Sequence, residues 1–320
     1  MSDDIVRSIG ALALETAVET AWAQWSSLTT AAVPVGQPCT WAIIDPEALV
    51  LLSLAARDRE RRLNDLLAGW ARAGSSLLSV QRLKTLAGHY PAAVREQVPD
   101  FAHYAADAGD RRWLSHAANP GGIPKPREKH TGPLRLTEGP TLMLRLRAGI
   151  GVGAKADLLT FLLGLGGAAA DLKAITIATA YSDRAMRTAA EDMALARFIH
   201  EIQGPPNAYR ADPAAWVQVL ESYRLESGAA PYPNLPRWRF WSVAFEFLTS
   251  VIFWDRAARQ EQWSGYIASS RARDVMEVHK SRLRYTGIEL AGGAGLRGAE
   301  YLGWFQDVVG QVSAWTQQSL

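Results

Sequence analysis

Residues 154–210 read AKADLLTFLLGLGGAAADLKAITIATAYSDRAMRTAAEDMALARFIHEIQGPPNAYR. Three helices are expected first, over 154–165, 171–179 and 182–196. Ala156, Leu159 and Leu163 share one face of the first, at helical spacing. Leu172, Ile175 and Ala178 do so in the second, and Met186, Ala189, Ala190 and Met193 in the third. Tyr181-Ser182 makes the turn between them, with Ser182 as N-cap of the third helix. A β-ribbon is expected next: 197–203, a turn at Gly204-Pro-Pro-Asn207, then 208–210. Asp212-Pro213 then starts another helix.

Helix, helix, turn, helix and hairpin is the order of a winged helix. In a helix-turn-helix the second helix packs across the third and leaves the third free for the major groove. The outer face of 182–196 then presents Asp183, Arg184, Arg187, Thr188 and Glu191. Arg pairs bidentately with guanine, and Thr meets a thymine methyl or a phosphate. Asn207 and Arg210 lie at the hairpin tip and just after it, where a wing touches phosphate or the minor groove. Lys155 and Lys173, near the starts of the two earlier helices, are expected phosphate contacts.

The stretches RAGIGVGAKADLL (147–159), ATAYSDR (178–184) and DMALA (192–196) resemble bacterial winged helix-turn-helix transcriptional regulators with an ArsR/MarR-type core. The resemblance covers residues of about 145–212 and implies a DNA-binding regulator that dissociates or rearranges on a signal. The flanking helical regions resemble no family. One departure matters: residues 127–210 hold 11 Lys+Arg against 8 Asp+Glu, a local net of only +3. Non-specific DNA affinity, which scales with neutralised phosphates, is therefore expected to be weak.

Around this core the chain divides into an N-terminal helical domain (1–118), a Pro/Gly-rich linker (119–140), the winged helix (141–212) and a Trp-rich helical domain (213–320). The break is sharpest at 119–126, NPGGIPKP, where three prolines and two glycines exclude a helix interior. In 1–30, Leu12, Leu14, Val18, Trp22 and Trp25 mark a helix. Asp45-Pro46-Glu47 opens another, with a capping aspartate, a first-turn proline and an acid facing the macrodipole. Residues 141–147, TLMLRLR, alternate as a strand does, yet Leu and Met suit a helix equally. Trp238, Trp241, Phe245, Leu248 and Ile252 mark an apolar helix; the glycine-rich stretch 287–303 is assigned no element.

The 320 residues are 48% hydrophobic and 21% charged, which excludes a disordered chain. The net charge of +2 supports no claim of general basicity. A lone cysteine, Cys39, forbids an internal disulfide and thiolate zinc modules. The acidic start MSDDIVRSIG and the lack of a long apolar run lead to the expectation of a cytoplasmic protein that no membrane holds.

Catalytic readings find little. Gly149-Ile-Gly-Val-Gly-Ala-Lys155 lacks the spacing and the Ser/Thr of a phosphate loop, and Ala154 stands where a dinucleotide fingerprint needs glycine. The six histidines make no ligand spacing. No enzyme activity, metal or cofactor is expected. The expected partner is duplex DNA, bound as a homodimer because two-fold proteins read palindromes. Twelve tryptophans, seven of them after residue 210, are expected mainly in the core, with a ligand pocket or dimer interface as the alternative. The flanking helices would dimerise or sense a small-molecule or protein effector. The competing reading is a protein-interaction scaffold whose winged helix meets no DNA.

Overall fold

A computed structural model describes residues 2–29, 38–117, 132–226 and 235–320. The first region holds α1 (Ser2–Leu28), α2 (Pro46–Ala56), α3 (Arg61–Gly74), α4 (Val80–Ala87), α5 (Ala92–Arg95) and α6 (Val98–Asp107). The middle holds α7 (Leu142–Ile150), α8 (Ala154–Gly164), β1 (Ala170–Asp171), α9 (Leu172–Thr179), α10 (Asp183–Leu195), β2 (His200–Ile202), β3 (Ala208–Arg210) and α11 (Pro213–Glu226). The last holds α12 (Trp241–Gln260), α13 (Gly265–Leu283) and α14 (Gly298–Gln318). Among the described residues the protein is mainly helical with one small antiparallel sheet, ordered β1-β3-β2. No helix among the described residues is long and apolar enough to cross a membrane.

The starts follow local chemistry. Asp45, Ser79, Asp171 and Ser182 each accept a backbone N–H of the first turn that follows. Each satisfies a donor that the helix cannot. α9 stops at Ala180, which turns left-handed at φ 57° and sets up the turn into α10.

Two apolar cores result. The larger is shared by α1–α6 and α12–α14, so residues of 1–118 and of 213–320 meet in it. The smaller gathers α7–α10, the sheet and Leu220 of α11, with Ile43 and Trp238 added from outside. An extended segment runs between them. Ile43 lies in the smaller core and Ile44 in the larger, as strand-like alternation requires. Ile43 N–H donates to Arg237 O at 2.8 Å, and Ile44 N–H to Pro140 O at 2.9 Å. Trp238 N–H donates to Gly164 O at 3.0 Å. A Cβ on Gly164 would stand 2.7 Å from the Trp238 backbone nitrogen, so this contact needs glycine.

Of the two readings open for 141–147, the structure takes the helix: Leu142, Met143, Leu144, Leu146 and Arg147 are all buried, which erases the usual helical stripe. Other expectations change. The centre of the α1 stripe is Ile9, Ala13, Ala17 and Ala21, while Leu12, Leu14 and Val18 are only partly buried. Both α12 and α14 pack against α1. Trp238 precedes α12 rather than joining it, and packs edge-on against Phe161 at 5.3 Å between ring centroids. The break at 119–126 lies outside the described residues. Residues 132–140 dock on the end of α1, with Arg135 N–H donating to Leu28 O at 3.0 Å.

Trp241 is fully buried and donates to Ile43 O at 2.9 Å. Trp254 is buried and donates to Ala268 O at 3.1 Å. These rings serve the chain's own core. For these two tryptophans the core reading applies, and they lend the alternative dimer interface no support. Cys39 is buried, which pushes its thiol up to about 12, against a small opposing hydrogen bond to Ala42.

Candidate nucleic-acid interface

α10 is held from behind by its apolar face. Met186, Ala189, Ala190 and Met193 are buried, against Ile175 and Ala178 of α9 and the apolar residues of α8. Its opposite face is open: Ser182, Asp183, Arg184, Arg187, Thr188 and Glu191 are exposed. The hairpin β2–β3 follows, with His200 opposite Arg210 and Ile202 opposite Ala208. β1 adds to its other side, pairing Ala170 with Tyr209. Buried Tyr209 pins the hairpin to the smaller core, while Arg210, the next residue, is exposed.

The predicted residues fall into two groups. Arg184, Arg187, Thr188, Lys173 and Arg210 are exposed, and their side chains have no ion-pair or hydrogen-bond partner among the described residues. The other three are engaged. Ser182 caps α10, accepting from Ala185 N–H at 3.3 Å. Asn207 builds the hairpin turn: its amide donates to Glu201 at 2.7 Å and its oxygen accepts from Gly204 N–H at 3.2 Å. Lys155 is paired with Asp192 at 2.8 Å, both about half exposed. Lys155, Ser182, Arg184 and Thr188 line one groove of about 550 Å³ between the α7–α8 loop and α10.

The charge on this face is mixed, since Asp183, Glu191, Asp192 and Glu201 stand exposed among the basic residues. Apolar side chains are exposed as well. Leu195 is 86% exposed, Phe198 47% and Ile202 42%. Phe198 packs edge-on to Trp216, whose indole donates to Phe198 O at 3.2 Å.

Sequence reading missed what lies behind the junction. Arg82, Arg147, Asp45, Glu47 and Asp157 form one buried ionic cluster. Arg82 grips Asp45 with both terminal nitrogens at 2.6 Å and reaches Glu47 at 2.6 Å. Its Nε donates to Thr179 O at 2.8 Å, at the C-terminus of α9. Arg147 holds Asp157 at 2.7 and 2.8 Å and Glu47 at 2.7 and 3.1 Å. Glu47 also accepts from Ser79 N–H at 2.8 Å, which ties the cap of α4 into the set.

Burial alone would raise the Glu47 carboxyl. The Arg147 and Arg82 guanidiniums outweigh it and hold the group below the ordinary carboxylate range. Burial, with the nearby Asp157 carboxylate, keeps the Tyr181 phenol well above its usual value and hence neutral. The cluster thus connects α2 and α4 to α7, α8 and the end of α9, and fixes the turn from which α10 departs. The one signal in the sequence was Arg147 inside the apolar run TLMLRLRAGI, where a charge needs a partner.

A second polar group lies in the larger core, where Arg282 meets Glu246 at 3.1 Å and His89 Nε2 at 3.3 Å. No set of His, Cys, Asp and Glu among the described residues is arranged to hold a metal ion. His279 is a buried core residue, 3.2 Å from Glu246 and 2.9 Å from Ser250 Oγ. Within 149–155 only residues 151–153 leave the helices, as a turn from α7 into α8 with Gly151 and Gly153 at φ 109° and 150°; a helix rather than a strand precedes it, unlike a phosphate loop. Comparison of the chain with protein-family models, with curated proteins and with solved structures finds no match.

Proposed function

We propose that residues 142–210 form a winged helix that binds duplex DNA, with α10 as the recognition helix and β2–β3 as the wing. The observation that carries this reading is the open face of α10. Its exposed Arg184, Arg187 and Thr188 stand beside a hairpin whose exposed Arg210 is one residue from its anchor in the core. From α8 on, the order helix, strand, helix, helix, strand, strand, with β1 added to β3, fits the reading. Arg184 and Arg187 are one turn apart and share a face. They read base edges; Arg210 and Lys173 hold phosphates. Lys155 joins them only by giving up Asp192. The mixed charge implies low non-specific affinity, so that specificity rests on few contacts. The protein acts as a regulator that binds as a homodimer.

A second reading is favoured by the exposed Leu195, Phe198 and Ile202 at the end of α10 and on β2. Apolar groups gathered on a surface mark protein contacts more readily than DNA contacts. On that reading the module docks a protein partner and meets no DNA. Selection of genomic fragments with the purified full chain, read at two salt concentrations, separates the two. Enrichment of one palindrome is the outcome expected for the regulator. No enrichment at either salt, with affinity for a protein partner that Leu195→Ser abolishes, establishes docking instead.

A further inference from the structure

The segment between α13 and α14 has an unusual backbone. Gly287, Gly292, Gly293 and Gly295 all lie at φ between 81° and 84°, which side-chain-bearing residues avoid. The segment is tied down through its carbonyls. Trp304 Nε1 donates to Ala291 O at 2.8 Å, and Arg273 donates to Leu296 O at 2.6 Å. A Cβ on Gly293 would stand 2.8 Å from the Trp304 ring, so the loop lies directly against the indole. The amides of residues 289–295 have no hydrogen-bond acceptor among the described residues.

Between this loop, α13 and the start of α14 lies a cleft of about 610 Å³, a size common for small-molecule sites. Met276, Ile288 and Leu290 give it an apolar wall. Its cations are Arg284, Lys280 and Arg273. Arg273 is committed to the loop and lies over the Tyr301 ring at 4.3 Å. Lys280 is held by Glu277 at 2.7 Å, and Glu289 also lines the cleft. Arg284 is exposed and has no recorded partner among the described residues. Unused amides beside an unpaired guanidinium and an apolar wall suit a ligand with an acid group on an apolar body.

We infer that this cleft binds a small organic anion, its carboxylate or phosphate held by Arg284 and the loop amides and its body against Met276, Ile288 and Leu290. The site lies on the larger core, away from α10, and stands whether or not the protein binds DNA. The test is thermal unfolding of the full chain with hexanoate, benzoate or adenosine monophosphate. Each is used at about 5 mM against sodium chloride of equal ionic strength. At least one is expected to raise Tm by about 2–4 °C, and which one separates carboxylate from phosphate recognition. Arg284→Ala should unfold at the wild-type temperature without ligand and lose the increment. The inference is overturned if no probe raises Tm beyond the salt control, or if Arg284→Ala keeps the full increment.

Discussion

Arg82 and Arg147 stand behind the α9–α10 junction; Arg184 and Arg187 stand in front of it. The rear pair is fully buried and saturated with carboxylates and carbonyls at 2.6–3.1 Å. The front pair is exposed, its side chains without a partner among the described residues. One residue type thus serves two purposes, and its surroundings decide which. A guanidinium taken out of water must be repaid in full by its neighbours, so the rear pair is fixed in place. A solvated one costs nothing to leave unpaired and is available to a ligand.

The contrast is broken most directly from the rear. Arg147→Met leaves Glu47 and Asp157 buried with too little positive charge. It should cost about 3–5 kcal/mol in urea unfolding. A loss under about 1 kcal/mol would mean that the cluster does not organise the junction. Acid gives a second, smaller lever. Because the folded-state value of Glu47 is depressed, its contribution is complete at neutral pH and disappears as pH falls through that value. The stability gap between wild type and Glu47→Gln should therefore narrow below about pH 4. A gap unchanged there would show that Glu47 is not held ionised.

The front is expected to behave in the opposite way. Arg184→Ala and Arg187→Ala should leave stability within about 0.5 kcal/mol, yet each should cost about 1–3 kcal/mol on a specific DNA site. Fluorescence anisotropy decides this: if neither these nor Arg210→Ala alters affinity, α10 is not a recognition helix and docking becomes the reading. Arg210→Ala should weaken all sequences alike and lower the salt slope by about one unit. The smallest effect is a gain. Asp183→Asn should tighten non-specific binding slightly, and no change would place Asp183 away from the phosphates.

What was legible in the sequence was local. The caps at Asp45 and Ser182 and the buried face of α10 follow from residues within a few positions of one another. The hairpin was legible for the same reason, since Gly204-Pro-Pro-Asn207 cannot continue a helix or strand. What was hidden was distant. Glu47 and Arg147 are 100 residues apart, and nothing near either names the other. Glu47 was read as an acid at a helix start, which it is, but its oxygens face arginines from two other helices. β1 escaped notice because two residues carry no period. Among the site residues, the sequence gives no means of separating Arg184, which is unpaired, from Lys155 and Asn207, which are engaged.

The extended segment at 41–44 has an architectural consequence. Ile44 binds Pro140, just before the smaller core's first helix, and its neighbour Ile43 binds Arg237, shortly before α12. The polypeptide therefore leaves the larger core and returns to it at adjacent points. Joined so, the region between behaves as a cassette: its two ends could be bridged by a short link without stretching the host. Ancestry by insertion of a ready-made module into a helical host is geometrically cheap for such an arrangement. Excision is not free, however. The host would keep Ile43, Trp238 and the Arg82–Asp45–Glu47 half of the ionic cluster, bare of the partners that cover them.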